Sequence, residues 1–239
     1  MNTPTELSFF LQHGYLHVPA VFTEDKLTHL QTEFDRVWAM PGHNNQTKLL
    51  QHQAFIDLVE SPGILDRQRA LFGSQTQLLQ YDLLRQGPRN ESFPMRAWHR
   101  DFVFPGDTPL SVNTIVYLNE MTEERGPTYV VPGSHIGPLL PPNDKTNEPL
   151  QDEVSVLAKA GDVVFINSAI WHSGSRNRSD GERRGIYMYY GHWWLKRYEL
   201  GTDLPWQSLC GASERRLELL GVKMPAPDLH QYTPDAGRE

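Results

Sequence analysis

The chain has a single cysteine, Cys210, in 239 residues. An intramolecular disulfide is therefore excluded, and nothing in the thiol content points to an oxidising compartment. Basic residues are also scarce: 22 Lys and Arg stand against 29 Asp and Glu, a formal charge of −7. Polyanionic backbones are held by clustered Lys and Arg, so this balance argues against nucleic acid as a partner and disfavours a highly anionic substrate. The local group Arg85, Arg89, Arg96 and Arg100 is the exception to that balance. Long apolar runs are missing, with none approaching the ~20 residues of a membrane span. Residues 1–10 carry neither a basic region nor a cleavage pattern, and no repeat of solenoid length is present. These absences lead to the expectation of a cytoplasmic protein with no membrane partner. A chain of this length can bury one core, and all-β barrels or sandwiches of this size form a single domain.

The punctuation of the chain changes at Gln75. Before it, Thr5 to His13 reads as a helix leading into a strand at Tyr15 to Val18. Thr23 then caps an amphipathic helix in which Leu27, Leu30, Phe34, Val37 and Trp38 recur at helical spacing, with Glu24 and Asp25 in its first turn. Phe55 to Glu60 and Ile64 to Phe72 read as further helical pieces. After Gln75 come short β-type runs at Leu78–Leu84, Ser111–Leu118, Tyr129–Val131, Val154–Leu157, Val163–Asn167 and Ile186–Trp194, separated by Gly, Pro and Asn. Helices followed by many strands predict a mainly β fold with flanking α-helices: a double-stranded β-helix, the jelly roll of cupin-like proteins. The expected organisation is one domain over 1–239, with a helical flank at 1–74, the jelly-roll core at 75–198 and a C-terminal extension at 199–239. Pro225 to Glu239 reads as a loosely held terminus.

Chemistry enters with His99-Arg100-Asp101 and the distant His172. Two imidazoles and a carboxylate are the facial ligand set of non-haem Fe(II) oxygenases, which leaves coordination positions open. In a strand, residues two apart share a face, so His99 and Asp101 can grip one ion while Arg100 turns away. The third ligand has to come from a distant strand, and Val163 to Ile166, following a Gly161-Asp162 turn, reads as the strand that brings His172. A His-x-Asp match by itself arises by chance in a chain with 10 histidines. Context has to carry it.

Three further segments supply that context: Gly126-Pro127-Thr128-Tyr129-Val130-Val131-Pro132-Gly133-Ser134-His135, the stretch from His172 through Arg184, and the opening His13-Gly14-Tyr15-Leu16-His17-Val18-Pro19. With Trp98-His99-Arg100-Asp101 they resemble the phytanoyl-CoA dioxygenase family of Fe(II)- and 2-oxoglutarate-dependent oxygenases, over most of the chain and fading after about Tyr198. The resemblance implies that His99, Asp101 and His172 bind Fe(II), and that Arg183 pairs with the far carboxylate of 2-oxoglutarate. The planar guanidinium suits that task because it makes two parallel hydrogen bonds to a carboxylate. Alternation allows only one of Arg183 and Arg184 to face inward, and the family register favours Arg183. Thr128 matches a position whose hydroxyl helps to hold the co-substrate. Arg125-Gly126 and Ser173-Gly174 depart from the family pattern, and the second change removes a hydroxyl from the co-substrate's surroundings. The implied reaction uses dioxygen, releases succinate and CO2, and oxidises a small organic molecule. Because Asp101 is present where related halogenases carry a small residue, hydroxylation, desaturation or ring closure is favoured over halogenation.

Two other readings stay open. One is a non-oxidative cupin-type metal enzyme using the same ligands, and the other is a catalytically silent ligand-binding protein on this fold. For the substrate, the loop from Gln86 to Ala97 ends close to His99 and reads as a pocket wall, with Arg96 and Arg85 offered to an acceptor such as a carboxylate. The proline-bearing loop from Ile136 to Glu153 is a second candidate wall. Trp98 and Trp171, each next to a metal ligand, are expected on the opposite face, in core packing. The run Tyr187 to Trp194 reads as a core strand. His13, His29, His43, His52 and His230 read as ordinary hydrogen-bonded histidines, and His135 as part of a turn.

Overall fold

Thr3, extended itself, accepts a hydrogen bond from the Glu6 amide at 3.1 Å, and Pro4 follows at a position where its missing N–H costs nothing. Helix α1 thus begins at Pro4 and ends at His13, where Gly14 turns left-handed with φ 78° and sends the chain into strand β1, Tyr15–Val18. The computed structural model describes residues 1, 3–42, 46–102, 104, 106–137, 147–196 and 204–225. His43, His230 and the segment 226–239 lie outside the described residues, as do residues 138–146 of the second candidate loop. Helix α2, Glu24–Trp38, starts under the hydroxyl of Thr23 and buries Leu30, Phe34 and Val37. Three shorter helices follow: α3 (Gln46–Leu49), α4 (Gln53–Val59) and α5 (Pro62–Phe72).

The strands come next: β2 (Thr76–Gln86), β3 (Ser111–Tyr117), β4 (Thr128–Val130), β5 (Val154–Val156), β6 (Val163–Asn167), β7 (His172–Ser173) and β8 (Arg183–His192). Helices α6 (Trp206–Leu209) and α7 (Glu214–Leu219), which the sequence pattern did not signal, close the described part of the chain. The strands form two antiparallel sheets, one of five in the order β1-β6-β3-β8-β2 and one of three in the order β5-β4-β7. This is the jelly-roll arrangement expected from the order of elements. Among the described residues no helix is long and apolar enough to cross a membrane.

Strand β3 is buried along its whole length because the large sheet is covered on both faces. Val112, Val116, Ile186, Met188 and Tyr190 point to the helices, where Phe34, Phe55, Leu58 and Ile64 complete the main core. The phenols of Tyr81 and Tyr190 reach through it to the carbonyls of Phe55 and Val59, both at 3.0 Å. On the opposite face Ile115 and Tyr117 meet Val130, Val156 and Ile166 between the two sheets. One irregularity matters for the site. The pairing of β2 with β8 slips between Leu78 and Gln80, a bulge that exchanges the two faces of the rest of β2. Tyr81 and Leu83 therefore enter the main core, while Gln80, Asp82 and Leu84 face the space between the sheets.

Candidate active site

His172 does not ride on the strand that precedes it, as the sequence reading has it. After β6 the chain turns at 168–170, held by the Asn167 carboxamide accepting from the Ala169 amide at 3.0 Å, and His172 opens the two-residue β7 in the smaller sheet. Nor is the His99–Asp101 segment a full strand. His99 makes one isolated antiparallel bridge to His172, with amide-to-carbonyl distances of 3.0 and 3.1 Å in the two directions. That bridge sets two ligands from distant parts of the chain side by side, their ring centroids 4.2 Å apart.

The imidazoles are oriented from behind. Nδ1 of His99 donates to the Ala97 carbonyl at 2.8 Å and Nδ1 of His172 to the Ile170 carbonyl at 3.1 Å. Both rings thereby offer an unprotonated Nε2, the orientation metal-binding histidines receive from such outer hydrogen bonds. Each Nε2 lies 3.6 Å from the same Asp101 oxygen, Oδ1, and the three ligand atoms fall within 4.8 Å of one another. An ion about 2.1 Å from each would fit among them. Burial disfavours the charged form of Asp101, but His172 and His99 outweigh it and hold the carboxyl below its usual range. Burial keeps His172 below its ordinary value, whereas at His99 the carboxylate of Asp101 outweighs desolvation and raises it. The second oxygen of Asp101 is buried without a hydrogen-bond partner. A buried ionised carboxylate with an idle oxygen, between two imidazoles that present lone pairs, is a donor set that fits a divalent metal ion.

Beside this cluster lies a cavity of about 200 Å³ between the sheets. Its wall is a grid set by strand register. Gln80, Tyr189 and Asn113 form one row across β2, β8 and β3, and Asp82, Tyr187 and Ile115 form the next. Asn113 donates to the Tyr189 hydroxyl at 2.8 Å. Burial first, and then the charge of Asp101, raise the Tyr189 phenol well above its ordinary pKa. Further along β8, Arg183 is 2% exposed, faces the cavity and donates to the Tyr187 hydroxyl at 3.3 Å. Its Nε is buried without a partner, and no carboxylate among the described residues pairs with it. Thr128 lines the same cavity, its hydroxyl 2.6 Å from that of Tyr117, whose pKa burial pushes up to about 12. Arg184 faces the other way, onto Asn119 at 3.2 Å and Asp35 at 2.6 Å. Ser173 accepts from the Ala97 amide at 2.7 Å, and Gly174, not its hydroxyl-bearing neighbour, lines the cavity next to Phe93.

The two arginines proposed from the sequence for substrate are not in the cavity wall. Arg96 is buried, clamps Glu153 through two hydrogen bonds of 2.5 and 3.2 Å, and stacks 3.4 Å from the centre of the Tyr129 ring. Alternation along β2 turns Arg85 away from Leu84's face and onto Glu182. Arg89 pairs with Asp180 at 2.6 Å, and Arg100 donates to the Ser134 carbonyl at 2.5 Å over the Trp171 ring. The basic group in the sequence is thus not a basic patch at the site. Trp98 and Trp171 pack with Tyr129, as expected. The aromatic run divides: Met188 and Tyr190 are core, whereas Tyr187 and Tyr189 line the cavity. A signal for the latter existed, since an inward Arg183 on an unbroken strand implies inward residues at 185, 187 and 189. His135 is buried, with Nε2 at 3.0 Å from the Leu11 carbonyl.

Comparison with known proteins agrees with this architecture. Dioxygenase trt7 of Aspergillus terreus is 31% identical over 103 residues, covering 40% of this chain and 35% of that protein. The chain thus spans about a third of the length of this and two further fungal dioxygenases, and 67% of a fourth, af480 of Aspergillus fumigatus. The peroxisomal phytanoyl-CoA dioxygenase of Rattus norvegicus is 21% identical over 250 residues, with 87% of this chain and 71% of that protein covered. Among solved structures, HygX from Streptomyces hygroscopicus with nickel and 2-oxoglutarate bound superposes with a TM-score of 0.69 over 83% of this chain and 90% of that one, at 20% identity. The model of the family described as phytanoyl-CoA dioxygenase (PhyH) matches residues 10–185, a span that contains the bridged histidines, Asp101 and the inward arginine of β8. By that match the chain belongs to the phytanoyl-CoA dioxygenase family.

Proposed function

We propose that this protein is an Fe(II)- and 2-oxoglutarate-dependent dioxygenase that oxidises, in the simplest case hydroxylates, a small organic molecule. The observation that carries the reading is the buried guanidinium of Arg183, without a carboxylate partner among the described residues, facing the same cavity as the His99–Asp101–His172 cluster. A buried cation needs an anion, and a dicarboxylate able to reach the metal ligands at its other end provides one. When bound, iron and 2-oxoglutarate supply the oxidation: dioxygen delivers one oxygen atom to the succinate formed as CO2 leaves, and the other to the substrate.

The chain's own part is positioning. His99, Asp101 and His172 hold the ion on one side and leave its cavity side open. Arg183 anchors the distal carboxylate, and Thr128, fixed by Tyr117, offers a hydroxyl beside it. The two sheets enclose the cavity side of the cluster, while the His99 side chain leaves its outer flank open to solvent. The reading carries with it a single-domain cytoplasmic enzyme, divided as 1–74, 75–198 and 199–239, acting on neither nucleic acid nor membrane; the acidic balance and lone cysteine support this. Anaerobic titration with Fe(II) and then 2-oxoglutarate tests it. One ion and one co-substrate should bind per chain, and admission of air should produce succinate. Retention of 2-oxoglutarate without succinate, across a metabolite panel, would return the protein to ligand binding alone.

A further inference from the structure

Neutral oxygen atoms surround the Arg183 guanidinium, and a glycine lets one of them reach it. Residues 183, 185 and 187 share the inward face of β8. Gly185 stands between the other two, paired with Leu84 on β2 and Tyr117 on β3. A Cβ at 185 would lie 3.0 Å from Cε2 of Tyr187 and 3.6 Å from its hydroxyl oxygen, the first well inside ordinary contact distance. The Tyr187 ring thus occupies the space that a side chain at 185 would take, and it lies back along the strand toward Arg183. Its hydroxyl accepts from Nη2 of Arg183 at 3.3 Å. From the neighbouring strand the Tyr117 phenol, 2.6 Å from the Thr128 hydroxyl, acts on the same guanidinium.

An arginine is a long side chain with many rotamers, and it grips a carboxylate through two parallel N–H bonds only when its plane is correctly turned. Setting that plane before the ligand arrives strengthens binding, because the ordering is already done. A carboxylate in the fixing role would neutralise the cation. A phenol accepts one N–H and leaves the positive charge for a ligand. Resting on the dioxygenase reading, we propose that Tyr187 is a positioning residue for 2-oxoglutarate: its hydroxyl fixes the plane of the Arg183 guanidinium, and Gly185 is the residue that allows it to do so. At 3.3 Å the contact is already long for a hydrogen bond, so a methyl group at 185 that pushes the ring outward breaks it.

Calorimetric titration of 2-oxoglutarate into the anaerobic, Fe(II)-loaded protein tests this. Tyr187→Phe keeps the ring and removes only the hydroxyl, and it should raise the dissociation constant roughly five- to tenfold. Iron affinity, the thermal midpoint of the iron-free protein and the rate of succinate formation at saturating 2-oxoglutarate should stay at wild-type levels, which confines the change to KM. Gly185→Ala should weaken co-substrate binding to the same degree, and adding it to Tyr187→Phe should bring no further loss, since no hydroxyl remains to displace. In an Arg183→Lys background Tyr187→Phe should have no effect, because an ammonium has no plane to fix. The assignment is overturned if Tyr187→Phe binds 2-oxoglutarate like the wild type, if it loses iron affinity or stability in step with the co-substrate, or if its loss persists in the Arg183→Lys background. Wild-type affinity in folded Gly185→Ala would overturn the part given to the glycine, and Tyr187→Phe decides the rest even where Gly185→Ala fails to fold. Failure of 2-oxoglutarate to bind the iron-loaded wild-type protein would instead remove the dioxygenase reading on which the inference rests.

Discussion

Single atoms decide most of the site. The metal cluster depends on two Nδ1–H donors tied to backbone carbonyls, which leave Nε2 of His99 and of His172 for an ion. Replacing either histidine by Ala should abolish succinate formation and strongly weaken iron binding, measured by metal content after gel filtration. Arg183 and Arg184 provide the sharper contrast, since they are adjacent in sequence yet lie on opposite faces of β8. Removing one partner of a buried ion pair costs about 3–5 kcal/mol, so Arg183→Leu should raise the 2-oxoglutarate concentration needed for half-saturation roughly a hundredfold or more. Arg184→Leu, which loses contacts to Asn119 and the exposed Asp35, should change it little.

At the level of elements, two connections hold the ligand-bearing segments in place. Arg96 joins the segment before His99 to Glu153, one residue before β5, with side-chain exposures of 7% and 15%. Arg96→Ala should therefore act on stability, lowering unfolding free energy by about 3–5 kcal/mol through the stranded carboxylate. Converting Glu153 to Gln in that background should recover part of it in a denaturation series. Gly126 is the second such position. It holds φ 78°, and a side chain there would meet the Ser175 and Arg176 carbonyl oxygens at 2.6 Å. Those carbonyls belong to the segment that follows β7. Gly126→Ala should lower the thermal midpoint and, by displacing that segment, weaken co-substrate binding as well.

On the scale of the whole molecule, the proposed metal site lies between the two sheets. His172 is in the smaller sheet, bridged to His99, while Tyr189 and Asn113 beside Asp101 belong to the larger. Iron should therefore stabilise the fold and not merely occupy it. At a hundredfold excess over its dissociation constant the gain is about 2.7 kcal/mol, which for a chain of this size is a rise in thermal midpoint of roughly 5–10 °C. Scanning calorimetry with Fe(II) against a chelator measures it. 2-Oxoglutarate should add a further rise only when the metal is present.

Local pattern determined a good deal by itself. The cap at Thr23, the β-branched runs and the turn residues placed the principal helices and strands, because propensity and periodicity act within a few residues. The ligand types and the charge of the chain are properties of composition, and Arg183 was distinguishable from Arg184 through family register. Tertiary structure decided what depends on contact between distant segments. It put His172 on a strand of its own, since only pairing with His99 and Val130 defines that strand. It engaged Arg85 and Arg96 with carboxylates far away in the sequence, which no local signal announces. Through the slip at Leu78 it also turned Asp82 toward the cavity. A bulge exchanges the faces of everything after it, and pairing with the neighbouring strand is what creates it.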